Sequence, residues 1–369
     1  PHGHPRALSV DATSAPLLLC DAGGVPCTPA LMYADTRARP QAKLIARYAP
    51  ANSPARGPGA ALAKLLWLLE HAPGAKRARH VVHQADWING RLLGSFGLAD
   101  ESNLLKMGYD PGTRRWPDWM RTLTIPEGML PRARPVGAVL GTIEATVAQR
   151  LGLPRETILV AGTTDSNAAT LAAGIRRPGD AVTSLGSTLV LKILCDRRVA
   201  SARYGIYSHR IGHRWLAGGA SNTGGRVLRQ HFDDRALIEL SRQIDPDSRT
   251  GLDYYPLPAI GERFPHNAPD MQPRMQPRPA DRKLFLHAML EGIADIEAEG
   301  YTRLAELGAG YPQRVYSSGG GAANAPWRRI RERRLGVPVL RAAHTEAAYG
   351  AALLARAAIV RRSATQLVE

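Results

Sequence analysis

The chain has 369 residues and a formal net charge of +16, with 44% apolar and 22% charged residues. That length exceeds the roughly 100 to 200 residues of one ordinary domain, so two domains with a cleft between them are expected. The composition excludes disordered and fibrous classes, and no run approaches the roughly 18 apolar residues of a membrane span.

The positive charge invites a nucleic-acid reading, because clustered Lys and Arg release counterions from a phosphate backbone. Its distribution argues otherwise. Only six of the 48 basic residues are Lys, and Arg is scattered, with local groups only at Lys76–Arg79 and Arg328–Arg334. Without a recognition module and with few aromatics, no specific nucleic-acid partner is expected. Cys20, Cys27 and Cys195 match neither a disulfide framework nor a spaced metal site, so reduced thiols are expected. Pro1-His2-Gly3-His4-Pro5 lacks the regions of a signal peptide, and the expected location is cytoplasmic.

In chain order, strand-like runs at Ala7–Val10 and Pro16–Cys20, with a turn at Asp21–Gly24, read as a β-meander. Leu62, Leu65, Leu66 and Leu69 follow the helical period over Ala60–Glu70, and Pro73-Gly74 ends the helix. Thr157–Ala161 reads as a strand running through Gly162-Thr163-Thr164-Asp165 into an alanine-rich helix, which is α/β organisation. Ala181–Ser184 and Thr188–Leu194 read as a strand pair joined through Leu185-Gly186-Ser187. Leu252–Pro279 shows no periodicity and is expected to be a long loop or lid. Beyond it come an amphipathic helix over Leu284–Leu307, a strand at Arg314–Ser317, a helix over Trp327–Leu335 closed by Gly336, and a final helix over Thr345–Ala358.

Four segments suggest chemistry, each with a plainer alternative. Gly319-Gly320-Gly321-Ala322-Ala323-Asn324 lies between a strand and a helix, where backbone can approach a nucleotide. It is neither a Walker loop nor Gly-x-Gly-x-x-Gly, and a tight connection with Asn324 as helix cap also explains it. Leu185-Gly186-Ser187-Thr188 could cradle a phosphate or be a simple turn. Asp165 reads as a general base or as a helix cap, and the two roles can coexist. Gly218–Gly225, two Gly pairs around Ser221-Asn222-Thr223, reads as a ligand-facing loop or a flexible connection.

Taken in order, these segments resemble the FGGY carbohydrate kinases, and most nearly the plant and cyanobacterial D-ribulose or D-xylulose kinase branch. The resemblance also runs through Ser9–Ser14, Pro29–Arg37, Asp100–Lys106 and Gly350–Leu353, covering nearly the whole chain. It implies an α/β fold of two actin-like, ribonuclease H-like ATPase domains flanking a cleft. Residues 1–172 with 346–369 would form the sugar-binding domain and 173–345 the nucleotide-binding domain. The implied activity is ATP-dependent phosphorylation of a ketopentose with Mg2+; a fragment or pseudoenzyme that binds without turnover is the alternative. Asp165 would be the base, Asp11 and Ser14 would hold the sugar, and Gly186, Ser187, Thr188, Gly320, Gly321 and Asn324 would hold the nucleotide. The resemblance further implies a first hairpin of Asp-x-Gly-Thr type that nothing before Ser9 supplies, so the first domain is expected to be incomplete at its start. Ala12 and Ala15 stand where the family pattern has Gly.

Overall fold

The computed structural model describes residues 4–360. They form two compact units: residues 4–172, 209–213 and 346–360 make unit 1, and 173–208 with 214–345 make unit 2.

Unit 1 opens with β1 (Ala7–Ser9), β2 (Leu17–Cys20), α1 (Arg39–Tyr48) and α2 (Ala61–His71). Next come β3 (His80–His83), α3 (Gln84–Leu93), β4 (Leu98–Asp100), β5 (Arg132–Arg134) and β6 (Val139–Thr142). α4 (Ala145–Leu151), β7 (Ile158–Val160) and α5 (Asp165–Ala172) complete its first run. The expected meander forms only in part: the turn at Asp21–Gly24 folds residues 26–31 back onto β2 through isolated antiparallel bridges at Cys20–Pro26 and Leu17–Leu31, but β1 and β2 lie in different sheets. β1 pairs in parallel with β7 in a β1-β7-β6 sheet, whereas β2 pairs antiparallel with β3. Both partners lie far along the chain, so local alternation does not specify them.

α2 buries Leu62, Leu65, Leu66 and Leu68 against Leu17, Leu19 and Ile45. Lys64 on the same helix is fully buried, and its Nζ donates to the carbonyls of Ala15 (3.2 Å) and Met32 (2.7 Å). It thereby holds the turn after Ser14, where Ala15 adopts φ 74°. Burial pushes the Lys64 ammonium down to about 8. Glu101 is 2% exposed, and neither carboxyl oxygen has a hydrogen-bond partner among the described residues. Burial pushes it up to about 7, although Arg114 Nε lies 3.6 Å away and opposes the shift.

Unit 2 contains β8 (Asp180–Leu185), β9 (Leu189–Cys195), the first two residues of β10 (Tyr207–Ile211), β11 (Arg214–Ser221), α6 (Gly225–Arg229) and α7 (Asp234–Arg242). α8 (Arg282–Leu304), β12 (Arg314–Ser318), α9 (Ala325–Leu335) and β13 (Val339–Arg341) follow, and α10 (Ala347–Ile359) belongs to unit 1. The sheet order is β10-β11-β9-β8-β12-β13, with β8, β12 and β13 parallel and β9 antiparallel to its neighbours β8 and β11. Two expectations are corrected. Gly218 and Gly219 lie inside β11 rather than in a loop: a Cβ would sit 2.0 Å from the Leu191 carbonyl oxygen or 2.3 Å from the Phe264 ring. α8 is not amphipathic, since Phe285 through Leu290 are buried without a break.

One ionic knot ties this unit together. The Arg331 guanidinium on α9 donates to both carboxyl oxygens of Glu297 on α8 (2.6 and 2.7 Å) and to Ser317 Oγ on β12 (2.6 Å). Thr183 on β8 donates to the same carboxylate at 2.6 Å. Arg331 and Glu297 are both fully buried.

Removing one member of such a pair strands the other charge in the interior, so Arg331→Met should cost about 3–5 kcal/mol in urea unfolding of unit 2. Replacing Glu297 with Leu in the same chain should return part of that loss. For Glu101, the raised folded pKa means that the folded state holds the proton more tightly than the unfolded state. Its contribution is therefore most favourable below 4.5, declines as pH rises to about 7 and then levels off. Glu101→Gln should raise stability by up to about 3 kcal/mol at pH 8 and by less than about 1 kcal/mol at pH 5, measured as paired urea midpoints.

Candidate functional site

In unit 2, β8 and β12 run side by side in parallel, from Asp180 opposite Arg314 to Ser184 opposite Ser318. Their carboxyl ends therefore deliver Gly186–Thr188 and Gly319–Asn324 to one place, where open α/β sheets characteristically bind ligands. Close packing requires glycine at two of these positions, 319 and 321. Gly319 has φ 79°, and a Cβ on it would lie 2.8 Å from the Leu185 carbonyl carbon. A Cβ at Gly321 would lie 2.6 Å from the Trp327 ring, whereas one at Gly320 would meet nothing within 4 Å.

These turns face a cavity of about 770 Å³, within the usual range for small-molecule sites. Gly186, Ser187, Gly320, Gly321 and Asn324 line it; Thr188 is not among the lining residues. Leu228, Leu237, Ile238 and Leu290 supply an apolar wall, and Arg229, Asp234 and Arg242 add charge. Sequence reading missed α6 and α7 as lining elements. The available signal was Asp233 followed by Ala236, Leu237 and Leu240: a helix cap ahead of apolar residues at helical spacing. Asp233 does cap α7, accepting from the Ala236 amide at 2.7 Å.

Both ends of the Asn324 side chain are hydrogen-bonded. Its Oδ1 caps α9 by accepting from the Trp327 amide (2.9 Å), and its Nδ2 donates to Ser241 Oγ on α7 (2.8 Å). The hairpin tip is likewise fastened: the Gly225 amide donates to the Gly186 carbonyl (2.8 Å) and the Arg226 amide to the Ser187 carbonyl (3.1 Å). The Ser187 side chain remains exposed.

Unit 1 brings Asp11 and Asp165 together by the same device. β1 and β7 run parallel, an isolated bridge joins Ala12 to Thr164, and the Asp165 amide donates to the Ala12 carbonyl at 2.9 Å. Gly162 is required, because a Cβ would fall 1.9 Å from the Val10 carbonyl oxygen. Asp165 is the first residue of α5, and its Oδ1 accepts from the Ser166 amide at 2.6 Å. α10 crosses α5 closely at Gly350, where a Cβ would lie 1.8 Å from the Ala168 carbonyl oxygen. The Asp11 carboxyl is shifted upward, first by burial and then by the charge of Asp165. Ser14 Oγ is buried and has no partner among the described residues. Thr163 Oγ1 donates to Ser102 Oγ (2.9 Å), linking the Asp165 turn to residues 100–103. Among the described residues no group of three or more His, Cys, Asp or Glu is placed to hold a metal ion.

The N-terminal domain model of the FGGY family of carbohydrate kinases matches residues 1–172, and the C-terminal domain model of the same family matches residues 181–359. A xylulose kinase from Streptomyces coelicolor is 34% identical over 206 residues, covering 53% of this chain and 42% of that protein. A glycerol kinase from Alkalilimnicola ehrlichii is 31% identical over 318 residues, covering 80% of this chain and 63% of that protein. The chain thus spans about half of the length of these curated relatives. The fold also matches the crystal structure of gluconate kinase from Lactobacillus acidophilus, with TM-score 0.85 and 20% identity over 100% of this chain and 78% of that one. The fold is the two-domain FGGY kinase fold, of actin-like, ribonuclease H-like type. With both domain models matched in order along nearly the whole chain, the protein belongs to the FGGY family of carbohydrate kinases.

Proposed function

We propose that this chain transfers the γ-phosphoryl group of ATP to a hydroxyl of a small sugar, a ketopentose such as D-ribulose or D-xylulose, with Asp165 as general base. The observation that carries the reading is the convergence of Gly186, Ser187, Gly320, Gly321 and Asn324, from two parallel strand ends, on one cavity of unit 2. Its apolar wall suits a nucleotide base, and its glycine-rich turns admit phosphates close to backbone. Thr188 would act from the hairpin flank. Relatives named for xylulose, glycerol and gluconate share polyhydroxylated substrates, which supports a sugar acceptor.

In unit 1 the proton acceptor is Asp165, the first residue of α5, whose Oδ1 accepts from the Ser166 amide. Asp11 and the unpartnered Ser14 hydroxyl would orient the sugar, whose hydroxyls satisfy a buried group that is otherwise costly. Magnesium, which ATP brings on its phosphates, would neutralise charge on the transferring group. Transfer then depends on positioning: the acceptor hydroxyl in line with the phosphorus, and Asp165 within reach of its proton. The three free cysteines fit a cytoplasmic setting.

Two measurements test this. Asp165→Asn should lower sugar-dependent ADP release by about 10²–10⁴-fold while leaving the Kd for ADP within about threefold. The assay should compare pentuloses, using this chain and a version extended at its start by an Asp-x-Gly-Thr hairpin. Turnover that survives Asp165→Asn removes the general-base assignment, and sugar-independent turnover in both forms removes the kinase reading. Gly320→Leu projects a side chain into open cavity, so it should weaken ADP binding at least about tenfold with a change in stability of about 0.5 kcal/mol or less. Unchanged ADP affinity in that variant would place the nucleotide elsewhere.

A further inference from the structure

Residues 252–279 form neither a helix nor a strand longer than an isolated bridge, yet they are pinned near their middle. Glu262, 2% exposed, accepts from Ser221 Oγ (2.5 Å), the Asn222 amide (2.7 Å), the Arg263 amide (2.7 Å) and the Tyr255 hydroxyl (3.2 Å). Asn222 fastens the same crossing from the other side, donating from Nδ2 to the Gly261 carbonyl (2.8 Å) and accepting from Arg263 Nε (2.7 Å). Beside it, the fully buried Phe264 fills the slot left by Gly219 on β11 and Gly300 on α8.

The grip extends to both ends of α6. Thr223 Oγ1, just before the helix, donates to the Pro256 carbonyl (2.5 Å), and Gln230 Nε2, just after it, donates to the Pro258 carbonyl (2.9 Å). α6 presents Gly225, Leu228 and Arg229 to the cavity. Its first two amides hold the Gly186 and Ser187 carbonyls. Glu262 itself does not line the cavity.

We propose that Glu262 is a positioning residue for the nucleotide site. It anchors the 252–279 strap on the 221–223 turn, the strap sets α6 at both ends, and α6 sets the Gly186–Thr188 hairpin. This rests on the reading of the cavity as a nucleotide site. A carboxyl group is suited to the task, because its two oxygens accept several bonds at once. Glutamine can substitute in part: its oxygen still accepts from two amides, and the Ser221 and Tyr255 hydroxyls can accept from its Nε2. Alanine leaves the Asn222 and Arg263 amides without their acceptor.

The test compares Glu262→Ala, Glu262→Gln and a stability control, Val339→Ala, which truncates a buried side chain on β13. MgADP affinity is measured by calorimetry, and exchange of the Gly225 and Arg226 amides by mass spectrometry. Glu262→Ala should weaken MgADP binding by about tenfold or more and speed exchange at both amides, Glu262→Gln should return affinity to within about threefold of the parent, and Val339→Ala should leave both readouts unchanged. Parental affinity in Glu262→Ala, or an equal loss in Val339→Ala, overturns the positioning role while leaving the nucleotide reading intact. Failure of the parent chain to bind MgADP overturns the nucleotide reading and this inference together.

Discussion

The walls of the unit 2 cavity depend on one buried guanidinium. Arg331 and Glu297 join α9 to α8, while Ser317 and Thr183 bring in β12 and β8, the two strands whose ends carry the glycine turns. A buried ion pair is poor evidence of net stability, because desolvation offsets much of its Coulomb energy. What it fixes is register. Turning α9 by one residue, about 100°, would aim Arg331 away from all three acceptor oxygens. The Asn324 cap at the start of α9, and with it the bond to Ser241, follows from that register.

Both units use the same construction at their candidate sites. Two parallel strands end together, a glycine removes the Cβ that would collide with the neighbouring backbone, and a polar residue stands at or just before the first turn of the following helix. Gly162 clears the Val10 carbonyl and precedes Asp165 on α5; Gly319 clears Leu185 and precedes Asn324 ahead of α9. Strand pairing controls where the two chain ends meet, and the helix start presents amides and a polar side chain at that place.

This construction explains what the sequence made legible. A glycine that avoids a backbone collision and a polar residue that caps a helix both act within a few residues of themselves, so Gly319–Asn324 and Gly162–Asp165 stood out as segments. Gly336, at φ 69°, likewise ends α9 where its position in the chain indicates. Sheet membership was not legible in this way. β1 and β2 both look like strands, but their partners, β7 and β3, are chosen by long-range pairing. Gly218-Gly219 misled for a related reason: they look like a loop, yet their small size serves the Leu191 carbonyl and Phe264, one on another strand and the other in the strap.

The strap is the extreme case. A segment rich in Pro, with no period, offers no local pattern to read, because its conformation is set by what it grips rather than by its own hydrogen bonds. Glu262 finds its acceptor role only when Ser221 and Asn222 arrive from some forty residues earlier. Arg331 and Lys64 are similar: each looks like a helix-surface cation, and each is buried because carbonyls, hydroxyls or a carboxylate from distant segments meet it. The glycines that shape the unit 2 turns were thus visible in the chain, whereas the charged groups holding those turns in place became visible only when the fold brought their partners together.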